Sequence, residues 1–75
     1  MLAVQCRMAR VAVNWGVRDL AKAAGVSVDT VSRLERGETL LPRTVEAIQR
    51  ALEAAGVIFV DEDGEGPGVR LKKGL

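Results

Sequence analysis

One run of polar side chains is the part of this sequence best suited to chemistry. Its members recur three and four residues apart: Asp29, Ser32, Arg33 and Arg36. A helix would therefore present them on one face. Each side chain is short or forked, and each can form hydrogen bonds with base edges or phosphates. A helix face that only meets solvent usually carries Lys and Glu four residues apart, so this face favours nucleic-acid binding.

Two short helices joined by a tight turn are predicted to position this face. Apolar side chains recur at helical spacing in residues 17–24 and again in residues 28–36. Gly25 would end the first helix in the left-handed conformation, which glycine adopts without a Cβ clash, and Gly37 would end the second. Ser27 can accept a hydrogen bond from a free backbone N–H and so begin the second helix. Only Gly-Val-Ser separates the two helices, so they must cross steeply, as in a helix-turn-helix.

The motif resembles the helix-turn-helix of the phage repressor/Cro (XRE) family of transcription regulators. The residues that carry the resemblance are Leu20-Ala21, Ala24-Gly25-Val26-Ser27, Thr30-Val31-Ser32 and Leu34-Glu35-Arg36-Gly37. It covers about residues 1–56, which would be the DNA-binding domain, and leaves residues 57–75 outside the family's shared core. The resemblance implies a mainly α fold, a repressor/Cro-like bundle of four to five helices. It also implies that residues 28–36 enter the major groove of DNA.

The resemblance also implies which residues touch DNA. Base edges would be read by the outward residues of the second helix, Val28, Asp29, Ser32 and Arg33. Arg33 would donate two hydrogen bonds to guanine, and Val28 could touch a thymine methyl. Asp29 could accept from a cytosine amino group, cap the helix or steady Arg33. A second set would hold phosphates without reading sequence, namely Val17, Arg18, Ser27, Arg36 and Arg43.

A first helix is predicted over residues 1–13. Its apolar stripe is Leu2, Cys6, Ala9 and Val13, and Arg10 falls on the same stripe. A buried guanidinium needs a carboxylate, because an unpaired buried charge is costly. In the resembling family an arginine and a glutamate at matching positions form a buried pair, so we expect Arg10 to pair with Glu35 as part of the scaffold. Cys6 is expected to be a small buried hydrophobe rather than a nucleophile or ligand.

The turns and the fourth helix complete the predicted bundle. Trp15 is expected in the core rather than as a stacking platform for a base. Gly16 caps a helix less well than Ser or Thr, so the next helix would begin loosely, with N–H groups available to a phosphate. A fourth helix is predicted over residues 43–55, with Pro42 in its first turn. Leu40 and Leu41 precede it and could pack onto this helix or onto a partner subunit.

Residues 57–75 read as a β segment. Residues 57–60 are β-branched and aromatic, residues 69–72 alternate apolar with basic, and an acidic turn joins them. An isolated hairpin is marginal in water, so it must lie on its own helices or extend a sheet with a second copy. We prefer the second arrangement, because the core of so small a chain is thin and a second copy would add buried surface to it. The dimer contact would then consist of Val57, Ile58, Phe59, Val60, Val69 and Leu71.

The composition limits the classes of protein to which this chain can belong. The chain has 75 residues, and no run of eighteen apolar residues or secretion signal occurs in it, so we expect one domain without a membrane span. Cys6 is the single cysteine and cannot form an internal disulfide, which fits a reducing cytoplasm. The chain has neither histidine nor tyrosine, and the acidic turn does not match a calcium-binding loop. We therefore expect a cytoplasmic protein that is not an enzyme and needs no metal and no cofactor.

The distribution of charge is more informative than its total. The net charge is only +1, which alone argues against nucleic-acid binding. Residues 1–50, however, hold eight Lys and Arg against five Asp and Glu, whereas residues 51–75 hold three against five. Positive charge thus lies with the helix-turn-helix and negative charge with the tail.

Two functions remain open from the sequence. The preferred one is a transcriptional regulator, a homodimeric repressor that binds double-stranded DNA, because one recognition helix reads too few base pairs to find a site alone. Two copies would address half-sites about 34 Å apart. The alternative is an antitoxin-type module whose tail binds a toxin-like protein partner while the same helices bind its own operator.

Overall fold

The fold consists of four helices followed by a two-stranded antiparallel sheet, in a computed structural model that describes residues 1–74. The helices are α1 (Ala3–Ala12), α2 (Val17–Ala24), α3 (Val28–Glu35) and α4 (Pro42–Ala54), and the strands are β1 (Val57–Val60) and β2 (Gly68–Leu71). This confirms the expected mainly helical class with a C-terminal β segment. Leu75, the last residue of the predicted tail, lies outside the described residues.

Aliphatic side chains from all four helices and from β1 form one core. Its buried members are Cys6, Ala9, Leu20, Ala21, Val31, Leu34, Ile48, Leu52 and Val57. Trp15 is half-buried and packs against this core, as expected, and so does Leu40. Leu41 is 58% exposed and does not join it. Residues 1–74 contain no helix long and apolar enough to cross a membrane.

The turn between α2 and α3 follows the predicted chemistry. Gly25 ends α2 with φ at +71°, in the left-handed region where a side chain would be strained. The N–H of Val26 then donates to the Ala21 carbonyl at 3.0 Å, which closes the last turn of α2. Ser27 begins α3 by accepting the N–H of Thr30 at 3.1 Å.

The N-terminal stripe of α1 differs from the expectation. Leu2 is 54% exposed, whereas Gln5, which the apolar pattern passes over, is 3% exposed. Gln5 is buried because its amide finds partners: Nε2 donates to the carbonyls of Val60 at 2.9 Å and Gly68 at 3.1 Å. Its Oε1 accepts the N–H of Leu2 at 2.8 Å. One glutamine therefore joins the start of α1 to the far end of the hairpin.

The hairpin lies on its own helices, the first of the two arrangements that the sequence leaves open, and its extension of a sheet with a second copy stays a prediction. β2 packs against α1 and β1 against α4. Val57 is 2% exposed, and Phe59 and Val69 pack against the core, so these three side chains are already covered within the chain. The reason is the period of two: one face of β1 is aliphatic and aromatic enough to complete the helical core. Of the expected dimer contacts, Ile58 and Leu71 remain exposed, at 43% and 47%.

Candidate nucleic-acid interface

Helix α3 is anchored by one face and exposed on the other. Val31 and Leu34 are buried in the core at 0% and 6% exposure. On the other side the structure places the expected base-reading residues together: Val28 and Asp29 are exposed, and Ser32 and Arg33 are half-buried. The helix is thus held rigidly while its polar face stays accessible.

An ion pair fixes the C-terminal end of α3 to α1. Arg10 donates from Nε to Glu35 Oε2 at 2.9 Å and from Nη2 to Glu35 Oε1 at 3.0 Å. Its Nη1 also donates to the Trp15 carbonyl at 3.2 Å. The hydrogen bond to Glu35 raises the pKa of Arg10 above its usual range. The guanidinium therefore stays charged and holds α1, the turn after it and α3 in one arrangement.

Cys6 lies beside this pair as a buried, protonated thiol. Its Sγ donates to Glu35 Oε2 at 3.4 Å. Burial, and after it the nearby Glu35 carboxylate, raise the pKa of Cys6 to about 12. A thiol with that pKa is not a nucleophile near neutral pH.

A carboxylate lies between the two arginines of the α3 face. Arg33 Nε donates to Glu38 Oε1 at 3.1 Å, and Arg36 donates from Nε at 3.3 Å and from Nη2 at 2.9 Å to Glu38 Oε2. The hydrogen bonds from Arg33 and then from Arg36 lower the pKa of Glu38, which is therefore ionised. Sequence reasoning missed Glu38, because its spacing of five and two residues from the arginines is not a helical pairing distance.

Asp29 is not the acid that steadies Arg33, although that was one of its three expected roles. Within residues 1–74 the ion pair of Arg33 is with Glu38. Nor does Asp29 provide the helix cap, since Ser27 does so through its Oγ. Asp29 is left exposed in the first turn of α3, where its negative charge suits the helix dipole.

The residues expected to hold phosphates differ in their exposure and in the partners that they already have. Arg18 and Arg43 are exposed, and neither forms an ion pair with another described residue. Arg36 is exposed but shares its charge with Glu38, and Ser27 uses its Oγ as the helix cap. The side chain of Val17 packs against the core, and only its backbone N–H, at the first residue of α2, is suited to a phosphate.

The start of α2 is tighter than expected. Asp19 Oδ2 accepts the N–H of Gly16 at 2.8 Å, so a carboxylate from inside the first turn compensates for the missing cap side chain. The helix therefore does not begin loosely. A phosphate at this end would meet the negative charge of Asp19, and Arg18 is the side chain that can offset it.

A groove continues the α3 face toward α4. It has a volume of about 500 Å³ and is lined by Thr30, Arg33, Thr39, Leu40, Leu41, Pro42 and Thr44. Three of these residues carry hydroxyl groups, and Arg43, the second residue of α4, follows Pro42 at its edge. The groove therefore places hydrogen-bond donors beside the polar face of α3.

Comparison with known proteins assigns this arrangement to a family. A family model described as a helix-turn-helix domain matches residues 2–58, which include all four helices and the first two residues of β1. No curated protein is similar enough in sequence to count as a match.

Proposed function

The chain belongs to the helix-turn-helix domain family, and we propose that it is a sequence-specific regulator that binds duplex DNA as a homodimer and represses transcription. The observation that carries this proposal is the face of α3. It is accessible, it bears Val28, Asp29, Ser32 and Arg33, and it is backed by two core side chains. A rigid helix with a forked cation on its outer side suits the major groove.

The residues of the interface then divide into those that read bases and those that hold phosphates. Arg33 donates to the O6 and N7 atoms of a guanine, while Val28 offers methyl groups to thymine. Ser32 and Asp29 contact neighbouring base edges. Arg18 and Arg43 lie outside any ion pair of the described residues, and they supply the charge that holds phosphates.

We infer dimerisation from the short length of α3. One short helix contacts only a few base pairs, so specific binding requires two copies on half-sites about 34 Å apart. The outer face of the hairpin supports this association through Ile58, whose large apolar side chain is 43% exposed in the monomer. Leu71 lies at the end of β2 on the other face, opposite Val57, and is 47% exposed. A bound dimer represses by excluding other proteins from the same stretch of DNA.

The antitoxin alternative uses another surface. Leu2, just before α1, is 54% exposed, and Val4 and Val11 on α1 are 51% and 69% exposed. Val4 and Val11 are seven residues apart and so lie on one side of the helix. A toxin-like partner could cover them while α3 binds the operator. A stoichiometric protein that co-purifies with the chain from its native host, and is released by Val11→Asp, would favour this function.

Selection from a random duplex pool tests the proposed function. We expect the protein to enrich a two-fold symmetric site whose half-sites are one helical turn apart. Binding to that site should weaken with salt, since phosphate contacts release counterions. Failure to enrich any sequence at low salt would reject sequence-specific binding.

A further inference from the structure

Glu38 shares its carboxylate unequally between two arginines of the proposed DNA-binding face. Toward Arg33 it accepts a single hydrogen bond, from Nε. That bond leaves both terminal nitrogens of Arg33, Nη1 and Nη2, without a partner among the described residues. Toward Arg36 it accepts two hydrogen bonds, from Nε and Nη2.

We propose that Glu38 is a positioning residue for base recognition, which holds Arg33 by Nε so that its two terminal amino groups meet a guanine end-on. This inference rests on the proposed function and adds a specificity determinant to it. Two terminal nitrogens donating in parallel match the O6 and N7 acceptors of guanine. Arg36 serves as the anchor of Glu38 rather than as a free phosphate clamp.

The backbone after α3 places Glu38 for this role. The N–H of Glu38 donates to the carbonyl of Arg33 itself at 3.1 Å, and the N–H of Gly37 donates to the Leu34 carbonyl at 2.9 Å. With Gly37 at φ +88°, these two bonds form the motif that commonly closes a helix. The turn therefore fixes the base of the Glu38 side chain one turn beyond Arg33, independently of the ion pairs.

The same carboxylate has an electrostatic effect on DNA of any sequence. A negative charge among the arginines offsets part of their attraction for phosphates, so it lowers non-specific affinity. Exposed ion pairs contribute little to folding, and the side chains of Arg33 and Glu38 are 42% and 44% exposed. Variants at Glu38 should therefore remain folded, and their effects should appear in DNA binding.

Affinity measurements on two duplexes test the proposal. Glu38→Ala and Glu38→Gln are compared with the unsubstituted protein on the selected site and on a scrambled duplex at one salt concentration. The matched control is Glu53→Ala, which removes an exposed glutamate in the last turns of α4, roughly 16 Å along that helix from Pro42.

We expect Glu38→Ala to lower the ratio of the two affinities by about fivefold or more, while it raises affinity for the scrambled duplex by roughly two- to fivefold at low salt. Glu38→Gln keeps an acceptor for Arg33 Nε and should lose less of the ratio. Glu53→Ala should change neither value. The effect on the ratio should disappear in an Arg33→Ala background. An unchanged ratio in Glu38→Ala would overturn the positioning role and leave only charge repulsion.

A second measurement needs no DNA. In NMR spectra of the free protein, the Nε–H signal of Arg33 should differ in chemical shift from that of a solvated arginine, and its hydrogen should exchange slowly with water. Glu38→Ala should return the signal to the position of a solvated arginine. An Arg33 signal that is identical in both proteins would overturn the proposal. If selection enriches no sequence although this signal behaves as expected, the proposed function fails, and with it the guanine contact.

Discussion

Arg10 donates to both carboxylate oxygens of Glu35, at 2.9 and 3.0 Å, and so joins α1 to the last residue of the proposed recognition helix. The two side chains are only 18% and 9% exposed. The orientation of α3 therefore depends on a charged pair at the edge of the core as well as on Val31 and Leu34 inside it. Removing one member would leave a poorly solvated charge behind.

We predict that Glu35→Ala lowers the free energy of unfolding by about 2–4 kcal/mol, because Arg10 would keep its charge without a partner. Urea denaturation followed by circular dichroism measures the loss. The control is Glu46→Ala, which breaks an exposed pair with Arg50 on α4 and should lose only about 0.5 kcal/mol. Equal losses in the two variants would show that the Arg10–Glu35 pair is not a structural tie.

Gln5 gives a prediction for the hairpin. Gln5→Ala removes the amide that donates to Val60 and Gly68, so it should lower the free energy of unfolding by about 1–3 kcal/mol. Amide hydrogen exchange should accelerate in β1 and β2 more than in α2. Gln49→Ala, which loses an exposed hydrogen bond to Glu53, serves as the control and should have little effect. Unchanged exchange in the hairpin would contradict the anchoring role of Gln5.

The exposed side of β1 predicts the oligomeric state. Ile58→Asp places a charge on a side chain that is 43% exposed, so the monomer should stay folded while the dimer dissociates. Sedimentation equilibrium measures the change. Val11→Asp adds the same charge to the 69% exposed position on α1 and should leave the dimer intact. The opposite pattern would move the interface from the hairpin to α1.

The raised pKa of Cys6 predicts that the free energy of unfolding falls at alkaline pH. Its pKa is raised from an ordinary value near 9 to about 12, so the folded protein retains a proton that the unfolded chain releases between those values. Stability from this residue is present below about pH 9 and declines as pH rises toward 12. Cys6→Ala should flatten that decline in urea denaturation between pH 8 and 10.5. An equally steep decline in the variant would assign it to other groups.

The sequence predicts those parts of the fold that depend on local chemistry. The bounds of α2 match because Gly25 and Ser27 mark the turn with residues that few others could replace. The position of Arg10 on an apolar stripe indicates that it needs an acid, although the partner comes from the family resemblance. Each of these signals lies within a few residues or within one helical period.

The features that the sequence does not reveal depend on contacts formed only by the folded chain. Gln5 is buried by carbonyls that lie 55 and 63 residues away. The carboxylate of Glu38 reaches Arg33 because Gly37 reverses the chain after α3, which periodicity does not encode. The hairpin covers its own helices because its apolar face packs against α1 and α4, a set of contacts that strand periodicity does not encode.

The central claim is that α3 reads base edges through Arg33, and the affinity of Arg33→Ala for the selected and the scrambled duplex tests it most directly. At one salt concentration, we predict that the ratio of the two affinities falls by roughly 5- to 100-fold. Arg43→Ala, the matched control at a proposed phosphate contact, should weaken binding to both duplexes alike and lower the salt slope by about 1. An equal loss on both duplexes in Arg33→Ala would contradict the claim.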